Sequence, residues 1–160
     1  MDIIKSKDNS KIRYVRSLSS KKFRDEEDAF VVEGIKFVNE AINEKAHITN
    51  LVFNENTFKK TQLREIYDYA LKSETEIIIC EENVFKTAAD TISSQGVLAV
   101  IKRGKSTKTT DDFKFAIMCD RIQDPGNLGT IIRTADAFGP AVLILNKGCV
   151  DEYNPKVVRA

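Results

Sequence analysis

The stretch from Phe115 to Leu145 admits few folds. Two short apolar runs, Phe115-Ala116-Ile117-Met118-Cys119 and Ala141-Val142-Leu143-Ile144-Leu145, flank a segment in which Leu128, Ile131, Ile132, Ala135 and Phe138 recur at helical spacing. That order predicts strand, turn, helix, turn, strand, a single βαβ unit. Pro125-Gly126-Asn127 supplies the turn and an N-cap, and Gly139 ends the helix. A helix start just past a strand's carboxyl end carries unpaired N–H groups, and ligands of open α/β sheets sit there. Arg133 projects away from the apolar face, a cation that the core does not need; by pattern alone, a solvated surface arginine also accounts for it.

Upstream, helices and strands alternate. Ser10 can cap a helix carrying Ile12, Val15 and Leu18, and a charged turn, Arg24-Asp25-Glu26-Glu27-Asp28, leads into a strand at Ala29–Glu33. Gly34 opens a helix running through Lys45, and Ile48–Phe53 reads as the next strand. Leu63, Ile66, Tyr67, Ala70 and Leu71 mark an amphipathic helix before the apolar strand Glu76–Cys80. Val84, Phe85 and Ala88 suggest a short helix, and Gln95–Ile101 a fourth strand. The fold class is therefore α/β, with a three-layer α/β/α sandwich around a mostly parallel sheet over residues 1–102. Residues 103–112, polar and without apolar periodicity, read as a linker, and residues 113–160 begin a second α/β domain with the βαβ unit.

Charge is segregated along the chain. The formal net charge is +1, yet residues 1–24 hold eight basic side chains against two acidic ones, a net of +6. Lys11, Arg13, Arg16, Lys21, Lys22 and Arg24 belong to this arm and suit a phosphate backbone; a solvated basic helix has the same composition. The start of the chain has no signal-peptide core and no apolar run reaches membrane length, so a cytoplasmic protein without membrane contact is expected. Cys80, Cys119 and Cys149 each end or adjoin an apolar run and read as reduced core cysteines, while the single His47 cannot anchor a metal cluster alone. No metal is expected.

Gly104-Lys105-Ser106 imitates the end of a nucleotide-binding phosphate loop. Its context is wrong, because Ala99–Lys102 is strand and no helix follows. Glu33-Gly34 at a strand end reads as a turn with a solvated carboxylate.

Three segments acquire meaning together. Asn127-x-Gly129-x-x-x-Arg133-x-Ala135, within Asp124-Pro125-Gly126-Asn127-Leu128-Gly129-Thr130-Ile131-Ile132-Arg133-Thr134-Ala135, resembles the first signature of the SpoU (TrmH-type) RNA ribose methyltransferases. Phe30-Val31-Val32-Glu33-Gly34 after a basic helix, Gln95–Val100 before the linker, and the tail Asp151-x-Tyr153-Asn154-Pro155-Lys156-Val157-Val158-Arg159-Ala160 are similar to other parts of that family. The resemblance implies an RNA-binding α/β/α sandwich like certain large-subunit ribosomal proteins, followed by part of an α/β-knot (SPOUT) methyltransferase domain. It implies methyl transfer from S-adenosylmethionine to a ribose 2′-hydroxyl of ribosomal or transfer RNA, in a homodimer.

On the same resemblance the family's site residues fall on Asn127 and Arg133. A guanidinium stays protonated at ordinary pH, so Arg133 is expected to grip phosphate and polarise the hydroxyl rather than act as a base, with Asn127 orienting the cluster from the turn. The later, donor-binding signatures do not occur before Ala160. The chain is thus expected to be a fragment that binds RNA, holds no residues for the methyl donor and is inactive alone. Its two strands and one helix after residue 113 should expose apolar surface. The alternative is a non-enzymatic RNA-binding or assembly module.

Overall fold

A computed structural model describes residues 2–91, 93–104, 113–139 and 141–160, in two units, Met1–Gly104 and Lys105–Ala160. Most of the expected linker, residues 105–112, lies outside the described residues, as do Lys105 and Ser106 of the phosphate-loop imitation.

The first unit is built on a four-stranded sheet of β1 (Ala29–Glu33), β2 (Ile48–Asn54), β3 (Glu76–Cys80) and β4 (Val97–Lys102) in the order β1-β4-β2-β3. Central β4 runs antiparallel to both its neighbours, and only β2 and β3 pair in parallel, which corrects the mostly parallel sheet expected. The physical reason is that Val97-Leu98-Ala99-Val100 is apolar on both faces, as any covered central strand must be. Such a run reports burial but not direction.

Helices cover both faces. Ile12, Val15 and Leu18 of the N-terminal segment with α1 (Ser10–Ser17), and Val84 and Phe85 of α5 (Glu82–Ala88), bury against Val52, Ile78, Cys80, Leu98 and Val100. On β2 the neighbouring residues Leu51 and Phe53 point the other way, and the Phe53 ring meets Tyr67 of α4 (Thr61–Lys72) edge-on at 5.8 Å. Helix α3 (Ile35–Asn43) packs beside α4 and against β1 and β4. These are the three layers expected.

Two local readings change. The cap of α1 is Asn9, whose side chain accepts from the Lys11 amide at 3.0 Å, and not Ser10. The expected charged turn at 24–28 is largely the helix α2 (Lys21–Glu27), closed by Asp28 in the left-handed region. Lys21 pairs with Asp25 and Lys22 with Glu26 at i,i+4 spacing, and this supports a helix without any apolar period.

Cys80 and Cys119 are buried, and Cys149 is half-buried. Desolvation, followed by the charge of Glu55, pushes the Cys80 thiol up to about 12. Its contribution to stability is present below the ordinary thiol range and is lost as pH rises toward that value. Half-buried Cys149 is expected to react first with iodoacetamide at neutral pH, and Cys80 only after unfolding. Mass spectrometry of labelled peptides over time checks this, and equal rates at the two sites would contradict it.

Candidate active site

In the second unit, β5 (Phe115–Cys119) pairs in parallel with β6 (Ala141–Leu145) across α6 (Pro125–Ala137). Asp124 caps α6, its Oδ1 accepting from the Asn127 amide at 2.8 Å, with Pro125 in the first turn. The expected turn at 125–127 is thus already helix, and Asn127 is neither cap nor loop. The anion-binding helix start also shrinks: Pro125 has no N–H and Asp124 consumes that of Asn127.

Asn127 and Arg133 are both exposed but stand six residues apart on the helix, roughly 120° around its axis and about 9 Å along it. No bond joins them directly among the described residues. Gly129 and Arg133, four apart, do share a face. Against that face lies α7 (Pro155–Arg159), capped by Asn154. A Cβ added at Gly129 would stand 2.5 Å from the Ala160 Cβ and 2.9 Å from the Val157 carbonyl oxygen, so only glycine lets α7 approach. One turn on, Arg133 Nη1 donates to the Ala160 carbonyl oxygen. Val157 seals the contact by packing with Leu128 and Cys119. The G-x-x-x-R spacing is therefore a helix-docking device as well as a placement of charge. Periodicity read without regard to glycine missed it, although the i,i+4 interval was visible.

The loops at the carboxyl ends of β5 and β6 are tied together. Asn146 Nδ2 donates to Asp120 Oδ1 at 3.0 Å, and the Val150 amide to the Ile122 carbonyl at 2.8 Å. Beside them a cleft of about 830 Å³ is lined by Phe115, Ile117, Met118, Ile131, Ala135 and Phe138, with Asp120, Thr130 and Thr134 as its polar side chains. Met118 and Phe138 are 71% and 74% exposed, the uncovered apolar surface expected of two strands and a helix. The described residues of this lining include no cationic side chain.

The basic arm is more neutralised than its composition suggests. Lys11 pairs with Glu76 at 2.6 Å, and Lys21 and Lys22 pair within α2. Lys21 and Arg103 together hold the exposed Asp25 carboxyl below its usual range. Arg24 corrects the expectation outright: it is 2% exposed, and its Nη1 donates to the Leu18 and Ser19 carbonyls at 2.8 and 2.7 Å. It closes the end of α1 and cannot face a ligand. Arg13 and Arg16 of α1 have no acidic partner among the described residues, so they carry the surface charge. Replacing Arg24 by alanine is expected to lower stability by about 2–4 kcal/mol, since it opens a cavity and orphans two carbonyls. RNA affinity should hold, and urea denaturation beside a binding titration separates the two effects.

Comparison with known proteins covers both units. The MRM3-like substrate binding domain matches residues 9–99, and the SpoU rRNA Methylase family matches residues 114–160. The chain is 32% identical over 155 residues to the mitochondrial rRNA methyltransferase 3 of Xenopus laevis, covering 92% of this chain and 36% of that protein. It is 29% identical over 160 residues to the 23S rRNA (guanosine(2553)-2'-O)-methyltransferase RlmP of Bacillus subtilis, covering 100% of this chain and 60% of that protein. The AdoMet-bound rRNA methyltransferase of Sinorhizobium meliloti superposes with a TM-score of 0.83 at 30% identity, covering 99% of this chain and 59% of that one. AviRb of Streptomyces viridochromogenes, solved in complex with AdoMet, gives 0.79 at 25% identity, covering 94% and 58%. The chain thus spans between about a third and three-fifths of the length of the curated relatives it matches.

Proposed function

The chain belongs to the SpoU rRNA methylase family, with an MRM3-like substrate-binding domain ahead of the methylase segment, and on that premise we propose that the protein transfers a methyl group from S-adenosylmethionine to a ribose 2′-hydroxyl of ribosomal RNA. The observation that carries the proposal is the α6 signature: Gly129 admits α7, Arg133 tethers it, and the guanidinium stays at an exposed surface. The sulfonium methyl is already electrophilic, so catalysis asks for alignment of the hydroxyl and relief of its proton. Arg133 would act as a donor: its further N–H groups can hold a phosphate or polarise the hydroxyl. Asn127, about two turns away, would contact the same RNA from the helix start. The first unit would hold RNA through Arg13 and Arg16, with Lys11, Lys21 and Lys22 contributing where RNA displaces their carboxylate partners.

A homodimer belongs to the same proposal, supported by the exposed Met118, Phe138 and Ile144. So does a cytoplasmic location, which the three free thiols suit; the mitochondrial names belong to vertebrate relatives. None of the helices formed by the described residues is long and apolar enough to cross a membrane. Incubating the full-length protein with unmodified ribosomal RNA and tritiated S-adenosylmethionine tests the function. Label retained on ribose supports it, and label on a base or none at all contradicts it.

A further inference from the structure

Three non-glycine residues among those described have positive φ: Asp28 at 48°, Lys45 at 55° and Arg121 at 54°. The first two follow α2 and α3, where a left-handed residue ends a helix in the ordinary way. Arg121 has no such reason. It follows β5, ends no helix, and is a long side chain in a region that such residues rarely adopt.

The loop holds it there from both sides. Asp120 is bonded to Asn146, and the Ile122 carbonyl accepts from Val150, so the strained residue sits between two anchors. Its stem runs over Gly148, where an added Cβ would lie 3.4 Å from Arg121 Cγ; Gly148 itself has φ of 92°. The guanidinium beyond is exposed, with no hydrogen bond or ion pair among the described residues, although Asp120 and Asp124 lie in the same loop. A cation on an anchored stretch of backbone therefore stands at the carboxyl end of a parallel strand, the ligand end of such sheets, in the loop that leads to Asn127.

We propose that Arg121 binds a backbone phosphate of the RNA substrate beside the ribose that is methylated. This rests on the reading of the protein as an RNA methyltransferase, and adds a residue outside the N-x-G-x-x-x-R signature. A surface arginine kept in a left-handed conformation by neighbouring bonds costs stability and returns nothing to the fold, so its use lies in the ligand it meets.

The test compares the parent chain with Arg121→Gly and Arg121→Lys, titrating a fluorescein-labelled hairpin RNA over a range of salt concentrations and melting each protein. Arg121→Gly is expected to bind roughly 3–10-fold more weakly, with the salt slope reduced by about 0.7–0.9, the loss of one phosphate contact. Its melting midpoint should be no lower than the parent's, because glycine accepts the left-handed backbone. Arg121→Lys should keep the slope. An unchanged slope and affinity in Arg121→Gly, a loss of slope in Arg121→Lys, or a midpoint below the parent's would overturn the assignment. A parent chain that binds no RNA would instead remove the reading on which it rests.

Discussion

Gly129→Val is expected to detach α7 from α6. Two opposing terms decide the size of the effect. Relieving a helical glycine gains a few tenths of a kcal/mol with valine, and about 1 kcal/mol with alanine. Against this, the new Cβ meets the Val157 carbonyl oxygen at 2.9 Å and the Ala160 Cβ at 2.5 Å. Backbone cannot rotate away as a side chain would, so the strain is about 1–3 kcal/mol or α7 moves. If α7 moves, Val157, only 3% exposed, loses its place beside Leu128 and Cys119, a further cost of about 2 kcal/mol. Packing therefore wins over propensity, narrowly for alanine and clearly for valine. Trypsin reports it directly: cleavage after Lys156 and Arg159 should accelerate in Gly129→Val, while the first unit keeps its melting behaviour. A variant cut no faster than the parent would mean that α7 does not depend on this contact.

The second large effect concerns Arg133. In the full-length protein, Arg133→Ala is expected to reduce the rate of methyl transfer by about 100- to 1,000-fold, the usual consequence of removing one preorganised donor from a transition state. Its hydrogen bond to the Ala160 carbonyl lies at an exposed position, so stability should fall by only about 0.5–1.5 kcal/mol. The disproportion separates chemistry from scaffold. Arg133→Lys keeps the charge but not the planar fork, and should recover RNA affinity more fully than rate.

What the sequence made legible follows from what each signal measures. Glu76–Cys80 is β3 end to end, and the apolar period of α6 placed its buried Leu128 and Ala135, because alternation and helical spacing report which face is covered. The direction of β4 left no such trace, since Val97–Val100 would look the same in either orientation. Helix α2 was hidden because its stability comes from ion pairs and from Arg24, whose burial runs against its composition. At the site, motif resemblance singled out Asn127 and Arg133, both exposed on α6, whereas turn chemistry misassigned the cap to residues 125–127, because the cap depends on one hydrogen bond that Asp124 accepts from the Asn127 amide. Net charge overstated the basic arm for a similar reason: Glu76, Asp25 and Glu26 reach it only after folding.

The reaction itself is tested most directly by the nucleosides recovered from ribosomal RNA after incubation with the full-length protein and S-adenosylmethionine. Digestion followed by mass spectrometry should show one 2′-O-methylated nucleoside, present with the parent protein and reduced about 100-fold or more with Arg133→Ala. A base-methylated product, or equal yields from the two proteins, would contradict the assignment of ribose methylation to the surface that Arg133 presents.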